Sequence, residues 1–226
     1  MTGISRGVGY EIASRFLAEG AQIIGVARDA DRLARAVRVL DPAGRALVPV
    51  VADLATDGFE AAIVEVVRSR WGALDILINN AAVMLDRDAP GVLSGPPGAL
   101  ERTLTINLMG PYRLTAQLLP YLEQGHEPRV IHVSSGAGTL EAMKTTGIAS
   151  YRLSKWALNG MTMLMAAELA GRVAVNAFDP GWVRTDMGGP QAPGTPAESA
   201  EGALTLATAP FEETGKFWKD GKEIPY

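Results

Sequence analysis

Cysteine is absent from this sequence, which excludes disulfides and thiolate chemistry outright. Histidine is scarce. His126 and His132 stand far from any carboxylate cluster, so no metal site is suggested, and His132 within an apolar run reads as structural. No run of like charge suggests a tail or a membrane-binding patch. The longest apolar stretch, Met161 to Ala167, is too short to span a bilayer and ends at Glu168; its methionines read as core filling. A net charge of −4 and a pI near 5.3 give no support to a nucleic-acid surface. The chain opens without a basic, apolar leader, which points to the cytoplasm. What is present is 226 residues with 47% hydrophobic content, enough for a single globular domain (1–226) with a sizeable core. No internal repeat or linker is visible.

Thr2-Gly3-Ile4-Ser5-Arg6-Gly7-Val8-Gly9 is a glycine-rich turn running into an amphipathic helix that ends at Gly20. Glycines so placed let backbone approach a pyrophosphate, while the helix N-terminus supplies free N–H groups and a positive dipole end. Such a turn ordinarily follows a buried central strand. Only Met1 precedes it here, so that first strand is missing from the sequence. Either the sequence begins inside a longer protein or the sheet lacks its central strand; unpaired neighbouring backbone would make the second costly, and the first is expected.

Strands alternate with helices through the first half of the chain, the pattern of an α/β, doubly wound parallel sheet. The strand at Ala21–Val26 ends in Ala27 and Arg28 where an NAD-preferring site generally places a carboxylate. With Arg6 and Arg32, Arg28 predicts a guanidinium cluster for a 2′-phosphate, hence NADP(H) rather than NAD(H). Arg28 and Arg32 could instead be solvated, partly offset by Asp29 and Asp31. The strand at Arg45–Val51 exits through Asp53 and Leu54, with Asp53 placed to meet the adenine amino group. Leu74–Ile78 gives way to Asn79 and Asn80, which can tie strand ends together, and then to small residues that let a cofactor lie close. Asp86–Gly98 reads as a surface loop. A long helix is expected from about Ala99 to Gln124, bent at Pro111 and Pro120, with Asn107 inside it. Asn107 either satisfies a core hydrogen bond or holds a water beside Lys155.

The chemistry is concentrated in Val130–Gly138 and Ile148–Asn159. The first is a buried strand breaking into Ser134 and Ser135; the second carries Tyr151 and Lys155 one helical turn apart on one face. An ammonium beside a phenol favours the phenolate and is expected to lower the Tyr151 pKa from about 10 toward the working range. A hydroxyl, a phenol and an ammonium meeting at one point would pass a proton to or from a substrate oxygen. A strand at Arg172–Phe178 then exits through Asp179-Pro180-Gly181-Trp182-Val183-Arg184-Thr185, a sharp turn over the cofactor in which Thr185 could bond a carboxamide. Gly188–Pro196 reads as a mobile lid and Leu140–Gly147 as a second pocket wall. A helix over Ala197–Thr208 and one strand over Gly215–Ile224 close the chain.

Thr2-Gly3-x-x-x-Gly7-x-Gly9, Asn79-Asn80-Ala81, Asn107, Ser135, Tyr151-x-x-x-Lys155 and Pro180-Gly181 resemble, in order and approximate spacing, the short-chain dehydrogenases/reductases. Val133–Gly138, Tyr151–Lys155, Pro180–Gly189 and Gly215–Pro225 look like that family's NADPH-dependent carbonyl-reductase branch. The resemblance implies a Rossmann-type domain in which Tyr151 is the general acid and Ser135 polarises a carbonyl. Lys155 would lower the Tyr151 pKa and hold the nicotinamide ribose, while Asn107 anchors a relay water. It favours Ser135 over Ser134 because Gly138 follows three residues later. It also places Gly3, Ser5, Arg6, Gly7 and Gly9 at the cofactor phosphates, Asp53 and Leu54 at the adenine, and Asn80, Pro180, Gly181, Val183 and Thr185 on the ribose and nicotinamide side. Three features depart from the family pattern: the absent first strand, Ala82 where glycine is usual, and a slightly longer segment between Ser135 and Tyr151. The implied partner is a small-molecule carbonyl, with no nucleic acid and no membrane, and a homo-oligomer is left open. The competing readings are a catalytically silent dinucleotide-binding sensor or scaffold and a truncated, non-functional product.

Overall fold

A computed structural model describes residues 1–226. Helix α1 (Gly7–Ala18) starts directly on the glycine turn and leads into strand β1 (Ile23–Ala27). Helix α2 (Ala30–Leu40) is capped by Asp29, whose side chain accepts from the Arg32 N–H at 2.9 Å. Strand β2 (Leu47–Val51), helix α3 (Glu60–Arg70) and strand β3 (Ile76–Asn79) follow. The expected long helix is two helices, α4 (Ala99–Leu104) and α5 (Gly110–Leu122), joined by a π-helical turn over Thr105–Met109. The irregularity thus runs up to Pro111, which cannot make the ordinary helical bond to the carbonyl of Asn107, four residues back. Leu104, Thr105, Met109 and Gly110 all keep right-handed helical backbone, so Pro111 lies inside one continuous helical run.

Strand β4 (Arg129–Val133), helix α6 (Ala149–Glu168), strand β5 (Ala174–Phe178) and helix α7 (Pro196–Thr208) build the second half. The chain closes in a hairpin of β6 (Phe217–Lys219) and β7 (Lys222–Ile224), where the sequence suggested one strand. Asp220, at φ 49°, and Gly221, at φ 72°, make the turn.

Strands β3 to β6 run parallel in chain order, with β7 antiparallel at the edge, whereas β1 and β2 form a separate parallel pair. Met1–Gly3 lie between the two sheets. On one side Val26 donates to the Met1 carbonyl at 2.9 Å and Gly3 donates to Val26 at 2.7 Å; on the other Thr2 donates to Ile78 at 3.0 Å. The central position expected to be vacant is therefore bridged at its C-terminal end by three residues. Successive strand residues face opposite cores. Leu77 and Val130 join one apolar cluster with α3, α5 and α6, and Ile78 and Ile131 join another with α1, α2 and α7. Helices therefore cover both faces, the doubly wound arrangement read from the alternation of elements. No helix is long and apolar enough to cross a membrane.

Candidate active site

One wall of the cleft, expected from the sequence to be the catalytic wall, begins where fully buried β4 runs out into two serines. Adjacent extended residues point to opposite sides, and this separates them. The Ser134 hydroxyl, buried, donates to Asn159 Oδ1 at 2.5 Å. The Ser135 hydroxyl accepts from the Ala137 N–H at 3.1 Å and acts on the Tyr151 phenol in the sense that favours its ionised form. Ser134 lines the cleft with its hydroxyl engaged by Asn159, whereas Ser135 is not among the lining residues. Helix α6 lies directly on the turn that follows: a Cβ at Gly138 would stand 2.6 Å from the Lys155 carbonyl carbon, so only glycine permits this approach. Lys155 is 3% exposed, donates to the Val133 carbonyl at 2.7 Å, and holds its Nζ 5.6 Å from the centre of the Tyr151 ring.

Burial governs the electrostatics here. It pushes the Tyr151 phenol up to about 12; the Ser135 contact opposes the rise and the Asp179 charge adds to it. The same burial pulls the Lys155 ammonium down to about 7, with Asp179 opposing. The expected lowering of the phenol is thus reversed, with burial setting the direction. A phenol held high stays protonated across the neutral range, in the form that gives a proton.

The Asn107 side chain meets the first of its two expectations, a buried hydrogen-bond role. Its amide donates to the Val83 carbonyl at 2.9 Å and to Ser154 Oγ at 3.0 Å, and accepts from the Val83 N–H at 2.8 Å. It clamps the exit of β3 to α6, which gives the buried asparagine its reason. Asp86 was missed because it opens a Pro/Gly-rich segment. It is buried and accepts the Ser150 N–H at 2.6 Å, one residue before Tyr151. That bond caps α6, whose own N-cap Ile148 has a left-handed φ of 45° and no side-chain cap. An apolar residue at that cap was the only hint in the sequence.

The opposite wall is the glycine turn, and the cleft between the walls measures about 480 Å³, within the range of small-molecule sites. Gly3, Ser5, Arg6, Gly7 and Gly9 line it from the turn and the start of α1, and Arg28, Asp53 and Leu54 from just beyond the ends of β1 and β2. Asn80, Tyr151, Lys155, Pro180 and Thr185 complete it. The cradle fits a ligand that needs close backbone approach. A Cβ at Gly9 would lie 2.3 Å from both the Gly3 carbonyl and Asn80 Nδ2, and Gly7 takes φ 60°. Asn80 performs the tying role expected of it: Nδ2 donates to the Thr2 carbonyl at 2.9 Å, while its N–H donates to Thr2 Oγ1 at 3.1 Å.

Several expected residues fall elsewhere. Arg32 lies outside the cleft and pairs with Asp29 at 3.4 Å, because the residue that caps α2 also captures the guanidinium. Gly181 and Val183 also lie off the wall: Gly181 faces a cleft behind the site, and Val183 is buried and bridged to Gly194. Ser135 and Asn107 stand behind the lining, reaching it through Tyr151 and Val83 respectively. Arg6 lines the cleft but forms an ion pair with Asp186. Arg28 has no acidic partner and is the free cation at that end. The segment read as a mobile lid is tied down: Arg184 donates to the Ala192 and Pro193 carbonyls at 3.0 and 2.7 Å, and Trp182 Nε1 to Gly188 at 2.8 Å. Only Pro196 of that segment lines the cleft, joined by Met187 just before it, and none of Leu140–Gly147 does.

The family model described as short chain dehydrogenase matches residues 1–195. The "C-signal" protein of Myxococcus xanthus is 41% identical over 158 residues, 69% of this chain and 94% of that protein. "Carbonyl reductase [NADPH] 1" of Sus scrofa is 28% identical over 277 aligned positions, covering all of this chain and 93% of the relative. A solved short chain dehydrogenase of Shigella flexneri 2a, complexed with NADP, superposes with a TM-score of 0.87 at 26% identity, covering 96% of this chain and 93% of its own. Ordered motifs, a glycine-walled cleft and these likenesses agree: the chain belongs to the short-chain dehydrogenase family.

Proposed function

We propose that this chain reduces ketones or aldehydes to alcohols with NADPH. The observation that carries the reading is the placement of Tyr151 and Lys155, with Ser135 just behind Tyr151, at one end of a glycine-walled cleft whose other end offers an unpaired Arg28. Gly3, Gly7 and Gly9 would lie against the cofactor phosphates, Arg28 against a 2′-phosphate, and Asp53 beside the adenine. When bound there, the dinucleotide supplies the hydride.

The chain's own groups do the rest. Ser135 Oγ donates to the carbonyl oxygen and orients it beneath the Tyr151 phenol. Tyr151, kept neutral by burial, gives its proton to that oxygen as negative charge develops on it. The Lys155 ammonium then stabilises the phenolate left behind, since an opposite charge next to it favours the ionised form. Asn107 and Asp86 keep α6, and with it Tyr151, in register with the cleft. Met187 and Pro196 give the open end an apolar side suited to a hydrocarbon substituent on the carbonyl. Two relatives bear on the choice: the pig protein named for NADPH-dependent carbonyl reduction and the solved structure holding NADP.

The test is NADPH oxidation against cyclic ketones, 3-oxoacyl thioesters and aromatic aldehydes, with the alcohol identified as product. Tyr151→Phe should lower kcat about 10²–10⁴-fold without abolishing NADPH binding, followed by nicotinamide fluorescence. Arg28→Asp should shift preference toward NADH by tenfold or more. Binding without turnover on any carbonyl would leave a dinucleotide sensor. Neither binding nor turnover would leave a non-functional product.

A further inference from the structure

The Lys155 ammonium is buried without an acidic group in contact; its hydrogen-bond partner is the neutral Val133 carbonyl. A buried cation ordinarily sheds its proton unless a counter-charge lies near. Strand pairing shows where one is. Val133 is registered opposite Phe178 in β5, and the next residue is Asp179. Its N–H donates to the Trp218 carbonyl at 2.8 Å, which fixes the backbone beside β6. The carboxylate, 4% exposed, accepts the Gly181 N–H at 3.0 Å on one oxygen. The other lies 3.0 Å from Lys219 Nζ. That second oxygen also presses on the turn carrying Ser135, for a Cβ at Gly136 would lie 2.9 Å from it.

We propose that Asp179 is a positioning residue that supplies the counter-charge for the Lys155 ammonium through the floor of the site. Lys219, its ion-pair partner on β6, sets how much of that charge the site feels. The assignment deepens the carbonyl-reduction reading and rests on it for its kinetic consequence alone.

The groups facing Asp179 fix the sign. Lys219 comes from β6 and is 43% exposed. It opens on a second cleft, about 760 Å³, that is shared with Asp220 and with Glu198 and Glu201 of α7. Glu198 is engaged by Thr195 and Glu201 by Arg15. From α6 come Lys155 and Tyr151, both of which feel the Asp179 charge. Beyond Lys155 lies His132, which burial keeps neutral with its pKa down at about 3. Asp86 is spent on the helix N-terminus. Asp179 is thus the anion that acts on both members of the proton-transfer pair. Removing its charge lets Lys155 lose a proton at lower pH, and lets the phenol ionise at lower pH too. Both changes move the alkaline limit of carbonyl reduction to lower pH. Removing Lys219 leaves the carboxylate uncompensated and moves both the other way.

The chain has five lysines, so 13C labelling at lysine Cε resolves each titration by NMR on the whole protein, without any substrate. Lys155→Met identifies the resonance that titrates near neutrality. In Asp179→Asn, which keeps an acceptor for Gly181, that midpoint should fall by about one unit. In Lys219→Met it should rise by a smaller amount. The alkaline arm of kcat against pH should follow each shift. An unchanged Lys155 midpoint in Asp179→Asn overturns the proposal. Should that variant not fold, a Lys219→Met midpoint that fails to rise overturns it equally. Shifted midpoints without turnover on any carbonyl would sink the reduction reading and leave this one standing. Turnover with unshifted midpoints would do the reverse.

Discussion

The two walls of the cleft are built on opposite terms. The catalytic wall hangs from a continuous sheet, β3 to β7, and its working side chains are buried and pinned by α6. The cofactor wall stands on the separate pair β1–β2, fastened to the rest of the sheet through Met1–Gly3, and its charged residues face solvent. In one wall desolvation sets proton occupancy, moving Tyr151 and Lys155 by more than any neighbouring charge. The other controls binding through backbone shape, with glycine where a methyl would collide. The cofactor wall should therefore fail by mechanical change and the catalytic wall by change in proton occupancy.

Acid tests the catalytic wall with the largest expected effect. The Thr162 hydroxyl gives its hydrogen to the Leu158 carbonyl, so His132 must donate from Nδ1, leaving a buried, unpartnered Nε2. Burial first, and the Lys155 charge second, lower the His132 pKa to about 3. The unfolded chain takes up a proton below about 6.5 that the folded chain refuses. Stability is therefore complete above that pH and is lost as pH falls toward 3, by up to about 1.4 kcal/mol per unit. Urea titrations across this window should show the slope. In His132→Asn, which can keep a donor toward Thr162, the acid limb should flatten; an unchanged limb would place the acid sensitivity elsewhere.

Gly9→Ala is the corresponding blow to the other wall. The added methyl would meet the Gly3 carbonyl at 2.3 Å, and neither α1 nor the Met1–Gly3 connection can yield without the other. Destabilisation of about 3 kcal/mol is expected. Hydrogen exchange should rise first in β1, β2 and α2, with β4 and α6 protected until global unfolding. Simultaneous loss of protection in both halves would mean that the walls are one cooperative unit.

Thr2→Val is a gentler version. Thr2 Oγ1 accepts from the N–H groups of both Asn80 and Ala81, at 3.1 and 3.0 Å. Valine keeps the shape and leaves both donors unsatisfied, for about 2 kcal/mol. NADPH affinity should fall with stability, while the Lys155 midpoint stays in place.

These contrasts also explain what the sequence could tell. That Gly3, Gly7 and Gly9, Asn80, Tyr151 and Lys155 share one cleft was legible because short-range spacing fixes them: a turn into a helix, a strand end, a one-turn pair. The doubly wound order was legible from apolar periodicity for the same reason. What escaped depends on pairings set by tertiary folding. Asp86 looks like loop until its bond to Ser150, 64 residues on, is seen. Arg6 meets Asp186 across 180 residues, and Asp179 finds Lys219 only because β6 lies beside β5. The Tyr151 pKa was misjudged because spacing reveals a neighbouring charge but says nothing about the depth of burial.

The smallest expected effect comes from giving the catalytic wall the same change that breaks the cofactor wall. Gly160 lies within α6, two turns beyond Tyr151, and a Cβ built there meets nothing within 4 Å. With no clash to offset it, Gly160→Ala should act only through helix propensity, raising stability by about 0.5–1 kcal/mol. One substitution would then carry opposite signs in the two walls, set by whether backbone or open space lies beyond the new methyl. Urea midpoints of the two variants, measured against the unchanged chain, decide it. Destabilisation by Gly160→Ala would show that α6 depends on close approach as the glycine turn does, and the contrast between the walls would fail.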